Sequence, residues 1–196
     1  MPNHHHNHAP FAGLSGLLLG LSFAFGRNQT GDWAADLAGV TTGDTVVDIG
    51  CGPGNAARVA RRRGAIAIGV DPAEVMLKIG RVFSVGRGIS YRNGTAEHIP
   101  VEDGAASVAW SLATVHHWKD IEHGLAEVRR ILKPGGRFVA IEADTQPGAT
   151  GHASHGWTND QAERFAAMCR EAGFSDVLIE RRTTDRRARV AVMGVR

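Results

Sequence analysis

The sequence predicts a doubly wound α/β domain. It should hold a mostly parallel sheet of about seven strands, covered by helices on both faces and ended by a C-terminal antiparallel hairpin. Three observations carry this. From residue 30 onward, short apolar runs alternate with amphipathic stretches of helical length. A glycine cluster follows the first β-branched run at once. The last two apolar runs, 175–182 and 187–195, have only a turn between them (Thr183, Thr184, Asp185), so they should pair antiparallel.

The elements follow in order. Thr30 or Gly31 can cap a helix reaching Leu37. TVVDI (45–49) is the first strand, and 55–63 is helical in composition, with Val59 apolar among Arg58, Arg61, Arg62 and Arg63. IAIGV (66–70) is the second strand. Pro72 opens the next helix at a position where proline is tolerated, and Val75, Met76, Ile79 and Phe83 fall at core spacing. Strands are expected at 89–92 and 106–111, and then an amphipathic helix at 121–132 with Ile121, Leu125, Val128 and Leu132 on one face. Lys133-Pro134-Gly135-Gly136 should stop that helix, because proline cannot continue it and glycine frees the turn. A fifth strand at 137–142 and a helix at 160–172 precede the hairpin.

Composition bounds the function. The chain has 196 residues, 43% hydrophobic and 21% charged, which is ordinary globular usage for a single core. A net charge of +2 is too small to imply nucleic-acid binding. Arg61–Arg63 and the arginines at 181–189 read as solvated faces, with no base-clamping or aromatic-interleaved motif beside them. Cys51 and Cys169 make neither a disulfide framework nor a metal site, and they suit a reduced, cytoplasmic protein. Residues 1–10 form a histidine-rich tail with at most weak metal affinity. Residues 11–44 read as a helical cap on a domain spanning 45–196. The uncharged part of that cap, 11–26, is shorter than a membrane span needs, although peripheral membrane contact stays open. Gly13, Gly16 and Gly20 weaken its helix, so it should depend on packing or ligand and act as a lid on the cleft.

The informative segment is VVDIGCGPGN, 46–55. A buried strand runs into Gly50-Cys51-Gly52-Pro53-Gly54 and then into a helix, so backbone N–H groups can approach a ligand at the carboxyl end of the sheet. Alone, such a bend also suits a nicotinamide or flavin. Asp71, about 20 residues past the first glycine at the end of the second strand, is placed to accept both hydroxyls of a ribose.

With these residues in view, VVDIGCGPG, GVDPAEVML, YRNGTAEHIP, AWSLATVHHW and ILKPGGRFVAIE, in this order, resemble the Rossmann-like class I S-adenosylmethionine-dependent methyltransferases. The likeness is greatest to the small-molecule enzymes of ubiquinone and menaquinone biosynthesis. The resemblance implies S-adenosylmethionine as cofactor and S-adenosylhomocysteine as product. It implies Asp48 near the cofactor amino group, Gly50, Cys51 and Gly52 beside its methionine and ribose, and Asp71 on the ribose hydroxyls. Pro72 or Met76 would lie on the adenine face, with Thr95, Ala96 and Glu97 at its edge and Ser111 and Leu112 flanking the sulfonium. Thr95 stands where the family often has an acid, and a hydroxyl is the weaker acceptor for an adenine amino group.

Methyl transfer from sulfonium needs a general base only where the acceptor loses a proton. His116 and His117, after the fourth strand, are the candidates, with His152 and His155 weaker ones. Trp118 is expected to pack, and Cys51 to be a small residue in the bend and no nucleophile. No metal is expected. The partner is a small-molecule acceptor, nucleic acid being disfavoured. The alternatives are a non-catalytic S-adenosylmethionine-binding protein and an RNA or protein methyltransferase.

Overall fold

The computed structural model describes residues 29–148, 156–183 and 188–196. The histidine-rich tail, the cap up to residue 28, His152, His155 and the turn at Thr184 and Asp185 lie outside them. The described elements are α1 (Gln29–Leu37), β1 (Thr45–Ile49), α2 (Asn55–Arg62), β2 (Ile66–Asp71), α3 (Glu74–Phe83), β3 (Ile89–Asn93), β4 (Ala106–Leu112), a 3₁₀ turn (Val115–His117), α4 (Ile121–Ile131), β5 (Leu132–Ala143), α5 (Asn159–Glu171), β6 (Ser175–Thr183) and β7 (Ala188–Val195).

Seven strands form one sheet in the order β3-β2-β1-β4-β5-β7-β6. β1, β2, β3, β4 and β5 pair in parallel, whereas β7 runs antiparallel to both β5 and β6. The order reverses between β1 and β4. In an open α/β sheet, this reversal leaves a crevice at the carboxyl ends of those two strands, because their crossovers leave to opposite sides. The glycine bend after β1 and the loop after β4 both line it.

The central strands are buried on both faces, which explains their continuous apolar runs. Val47, Ile49, Ala109 and Phe138 join Leu125 and Val128 of α4 and Phe165 of α5 on one face. Val46, Val108 and Trp110 face Trp33 and Ala34 of α1 and Ala57 and Val59 of α2 on the other. α2 is tied to α1 by Arg63–Asp36 at 2.5 Å and Arg62–Asp32 at 3.7 Å, so part of the basic run holds helices together. α5 starts at a capping box, Thr158 with Gln161, which satisfies two otherwise orphaned N–H groups.

Four sequence expectations need correction. α1 already includes Gln29, so Thr30 and Gly31 lie within the helix and do not cap it. α3 begins at Glu74 behind Ala73, so Pro72 stands before the helix and does not open it. Lys133-Pro134-Gly135-Gly136 does not separate α4 from a later strand: β5 already begins at Leu132, paired with Ala106, and resumes at Arg137, paired with Val108. The proline and glycines bulge out of a strand that pairs on either side of them. The buried face of α3 is Met76, Leu77, Ile79 and Gly80, with Val75 and Phe83 at its margin. Both faces have helical spacing. Tyr91 of β3, the chain's single tyrosine, decides between them by lying against Gly54, Gly69 and Gly80. Among the described residues no helix is long and apolar enough to cross a membrane.

A Cβ at Gly80 would lie 2.7 Å from the Tyr91 ring. Helix propensity alone favours Gly80→Ala by about 1 kcal/mol. We expect the clash to win and the variant to lose roughly 1–3 kcal/mol in urea unfolding, as overpacked cores do. A gain in midpoint would contradict this packing.

Candidate cofactor and active site

The site is built on the bend between β1 and α2. Gly50, Gly52 and Gly54 have φ of 71°, 52° and 79°, the left-handed region that glycine enters at little cost. The surroundings of the first two differ. A Cβ on Gly50 would meet the Thr114 side chain at 2.7 Å, whereas one on Gly52 would meet nothing within 4 Å among the described residues. The space at Gly50 therefore belongs to the protein, and the open face of the bend is at Gly52.

Two carboxyl groups flank that opening. Asp71, ending β2, accepts from Gly52 N at 2.9 Å through one oxygen and from Ala73 N at 2.8 Å through the other. It thereby fastens the bend to the neighbouring strand and caps the turn into α3. Each carboxylate oxygen retains acceptor capacity after one such bond. Burial raises the Asp71 pKa, while the two N–H groups pull it down. Asp48, in β1, points toward the start of α2 and accepts from Ala57 N at 3.0 Å. Burial drives its pKa up to about 7, against the pull of the Trp110 indole N–H and Ala57 N–H, with Asp71 adding to the rise and Arg58 opposing it. Arg58 is itself buried under the bend, donating to Pro53 O at 2.7 Å and to Asn55 Oδ1. Cys51 is buried, its Sγ 3.4 Å from Gly52 O, and burial holds the thiol far above its ordinary pKa, as suits a packing residue.

The loop after β4 closes the other side. Ala113 adopts φ 58°, costly for a residue with a Cβ, in the position that turns Thr114 back toward the bend. Thr114 Oγ1 lies 2.6 Å from Ser111 Oγ and donates to Ile49 O at 3.1 Å. Leu112 is partly buried against the cluster that holds Trp33 and Trp110. Then comes a histidine–carboxylate pair. Glu142 of β5 has no exposed surface, and accepts from Val115 N at 2.8 Å and lies 3.0 Å from His116 Nδ1. The His117 ring is 4.0 Å from that of His116, and His117 is exposed. Trp118 packs over Gly124 and edge-on to Phe165.

The remaining sequence candidates divide. Met76 is buried in α3, and Pro72, the residue after Asp71, is exposed. Thr95 and His98 exchange backbone hydrogen bonds in a tight turn, and Ala96 is buried in the core. Glu97 Oε1 accepts from Lys119 N at 2.7 Å and Asp120 N at 3.2 Å, so this carboxylate joins the segment after β3 to the start of α4. Four residues that matter here were not singled out from sequence: Thr114, Ala113, Glu142 and Trp110. A glutamate closing the apolar run RFVAIE was the one visible signal among them. Among the described residues no group of three metal-ligating side chains occurs.

The comparisons with known proteins agree with this geometry. A family model described as a methyltransferase domain matches residues 47–140. A sterol 24-C-methyltransferase of Eremothecium gossypii is 31% identical over 139 residues, covering 63% of this chain and 37% of that protein. The methyltransferase YdaC of Bacillus subtilis is 28% identical over 161 residues, covering 79% of this chain and 84% of that one. Among solved structures, the methyltransferase in complex with the Haloferax volcanii Trm112 activator superposes with a TM-score of 0.77 at 22% identity, over 92% of this chain and 94% of that one. Residues 47–140 are thus similar to a methyltransferase domain, and the described chain shares its fold with solved methyltransferase structures. It spans little more than a third of the sterol enzyme, and the greater part of YdaC.

The buried Asp48 has a measurable consequence. An aspartate ordinarily ionises near 3.8, so between that pH and about 7 the folded chain keeps a proton that the unfolded chain has lost. Stability contributed by this group is therefore full below the unfolded pKa and falls as pH rises through 7. We expect Asp48→Asn to raise the stability of the cofactor-free protein above pH 7 by on the order of 2 kcal/mol, and to change it little near pH 4. Thermal unfolding across that range checks it; a variant destabilised equally at both ends would contradict it.

Proposed function

We propose that this chain moves the methyl group of S-adenosylmethionine to a small-molecule acceptor that gives up a proton, leaving S-adenosylhomocysteine as product. The observation that carries the reading is the face of the bend at Gly52, open among the described residues and set between two buried carboxyl groups at the point where the strand order reverses. When bound, S-adenosylmethionine supplies a methyl carbon already activated by positive sulfur, so the protein's task is to align the reactants and keep them dry.

The chain's residues fit that task. Asp71 takes the ribose hydroxyls on the lone pairs that Gly52 and Ala73 do not use. Asp48 faces the cationic amino end, where a neighbouring positive charge draws it into the charged form. Gly50, Gly52 and Cys51 form the floor. Met76 and Pro72 border the adenine face, and Thr95 and Ala96 its edge, with Glu97 shaping that edge through its bonds to Lys119 and Asp120. Ser111 and Leu112 close the sulfur side.

His116 takes the acceptor's proton. A carboxylate can only accept, so Glu142 Oε2 at 3.0 Å selects the tautomer with the proton on Nδ1, and the basic lone pair falls on Nε2. His117 shields the ring. A small acceptor is supported by the sterol enzyme among the relatives and by the pairing of Arg62 and Arg63 with α1, which leaves little of that basic run for phosphates. A cytoplasmic site of action is part of this proposal, supported by two buried, unbridged cysteines.

Calorimetry should show S-adenosylmethionine binding and no binding of nicotinamide dinucleotides. Asp71→Ala should weaken that binding roughly 10- to 100-fold, the loss of one or two hydrogen bonds to a charged group. Labelled cofactor incubated with cell extract, with mass identification of the labelled product, gives the acceptor. On that acceptor His116→Gln should slow transfer by about 10²–10⁴ with cofactor affinity unchanged. Unaltered turnover would remove His116 from the mechanism, and binding unaffected by Asp71→Ala would remove the ribose assignment.

A further inference from the structure

Trp110 holds a fully buried indole N–H that pulls on the Asp48 carboxyl without a well-formed hydrogen bond. Its side chain has no exposed surface, and among the described residues its indole Nε1 makes no hydrogen bond of ordinary length and angle. Leaving a buried donor unpaired costs about 1–3 kcal/mol, so such a group in a central strand calls for a reason. An apolar ring would fill the same volume without that cost.

The register supplies the reason. Trp110 of β4 stands directly opposite Asp48 of β1, across the two strands that form the switch point. Aligned residues of adjacent parallel strands project to the same face. The indole therefore shares a buried layer with the Asp48 carboxyl, one of whose oxygens is already taken by Ala57 N. An indole N–H donates and never accepts. A carboxylate is its natural partner there, and the bond shortens once Asp48 carries full charge, because charge-assisted bonds are shorter and about twice as strong as neutral ones. Arg58, whose charge acts on Asp48, already donates to Pro53 O and Asn55 Oδ1 of the bend.

We infer that Trp110 is a positioning residue for the cofactor's amino-acid end: its indole N–H closes onto Asp48 when a cationic amino group arrives, and fixes the carboxylate toward it. This rests on the assignment of Asp48 to that end of S-adenosylmethionine. The effect is selective. It acts on ligands that carry the amino acid and not on the adenosyl part, which Asp71 holds. Trp110 does not touch substrate in this scheme, and it acts only through Asp48.

The test compares two ligands by calorimetry: S-adenosylmethionine, and methylthioadenosine, which has the adenosyl group and sulfur but no amino acid. Trp110→Phe keeps an aromatic ring and deletes the donor. We expect it to weaken S-adenosylmethionine roughly tenfold, the loss of one hydrogen bond to a charged group, and to leave methylthioadenosine unchanged. In an Asp48→Asn background the same substitution should cost nothing further. A second readout needs no variant: the Trp110 indole N–H resonance of the wild-type protein should shift downfield with S-adenosylmethionine and stay in place with methylthioadenosine. Equal losses for both ligands, an undiminished loss in Asp48→Asn, or a resonance that ignores the amino acid would overturn the role of Trp110. Failure of the wild-type protein to bind S-adenosylmethionine would overturn the underlying assignment instead.

Discussion

Two carboxyl groups buried within one bend of each other are the constraint around which this domain is arranged. Asp48 and Asp71 sit where β1 and β2 end, and taking either charge out of water is costly unless donors meet it. The fold meets it with backbone. Gly52 N and Ala73 N serve Asp71, and Ala57 N, at the positive end of α2, serves Asp48. Gly52 N and Ala57 N reach the acids only because the chain turns sharply at Gly50–Gly54, while Ala73 N comes from the turn after Asp71 itself, so the glycines, the helix start and the acids are one arrangement. What that arrangement leaves incomplete is as telling: an aspartate whose proton is held by burial, and an indole donor that, among the described residues, makes no well-formed hydrogen bond.

The second half of the site answers the first from across the switch point. Ala113 accepts a strained φ so that Thr114 can fill the space over Gly50 and bond to Ser111 and to Ile49 O. The loop after β4 is thus clamped to the bend after β1. One turn later Glu142, fully buried at the end of β5, receives Val115 N and faces the His116 ring. The proposed cofactor floor and proton acceptor are set by three adjacent strand ends, a more rigid support than a loop alone.

The parts of this that the sequence made legible are local. VVDIGCGPG spells strand, bend and helix start in consecutive residues, and Asp71 announces itself by closing IAIGVD before Pro72. The parts that were not legible depend on register between distant segments. Trp110 reads as one more apolar residue until β4 is aligned beside β1, and Glu142 reads as a strand end until it is found beside His116, 26 residues earlier. Similarly, two overlapping sets of apolar positions in α3 both fit a helix, and only the Tyr91 ring against Gly80 chooses between them. Lys133–Gly136 carries every mark of a helix stop, and the helix does stop, but the strand pairing that begins at Leu132 needs a partner, Ala106, that spacing does not disclose.

In the proposed reaction the opening between Asp48 and Asp71 receives a cationic ligand, and Asp48 gives up its buried proton to do so. The direct measurement is the proton count on binding: titration calorimetry of S-adenosylmethionine at about pH 6.5 in buffers of different ionisation enthalpy, where Asp48 is mostly protonated in the free protein. Net release of more than about half a proton, absent in Asp48→Asn, is expected. Proton uptake, or the same count in both proteins, would contradict it.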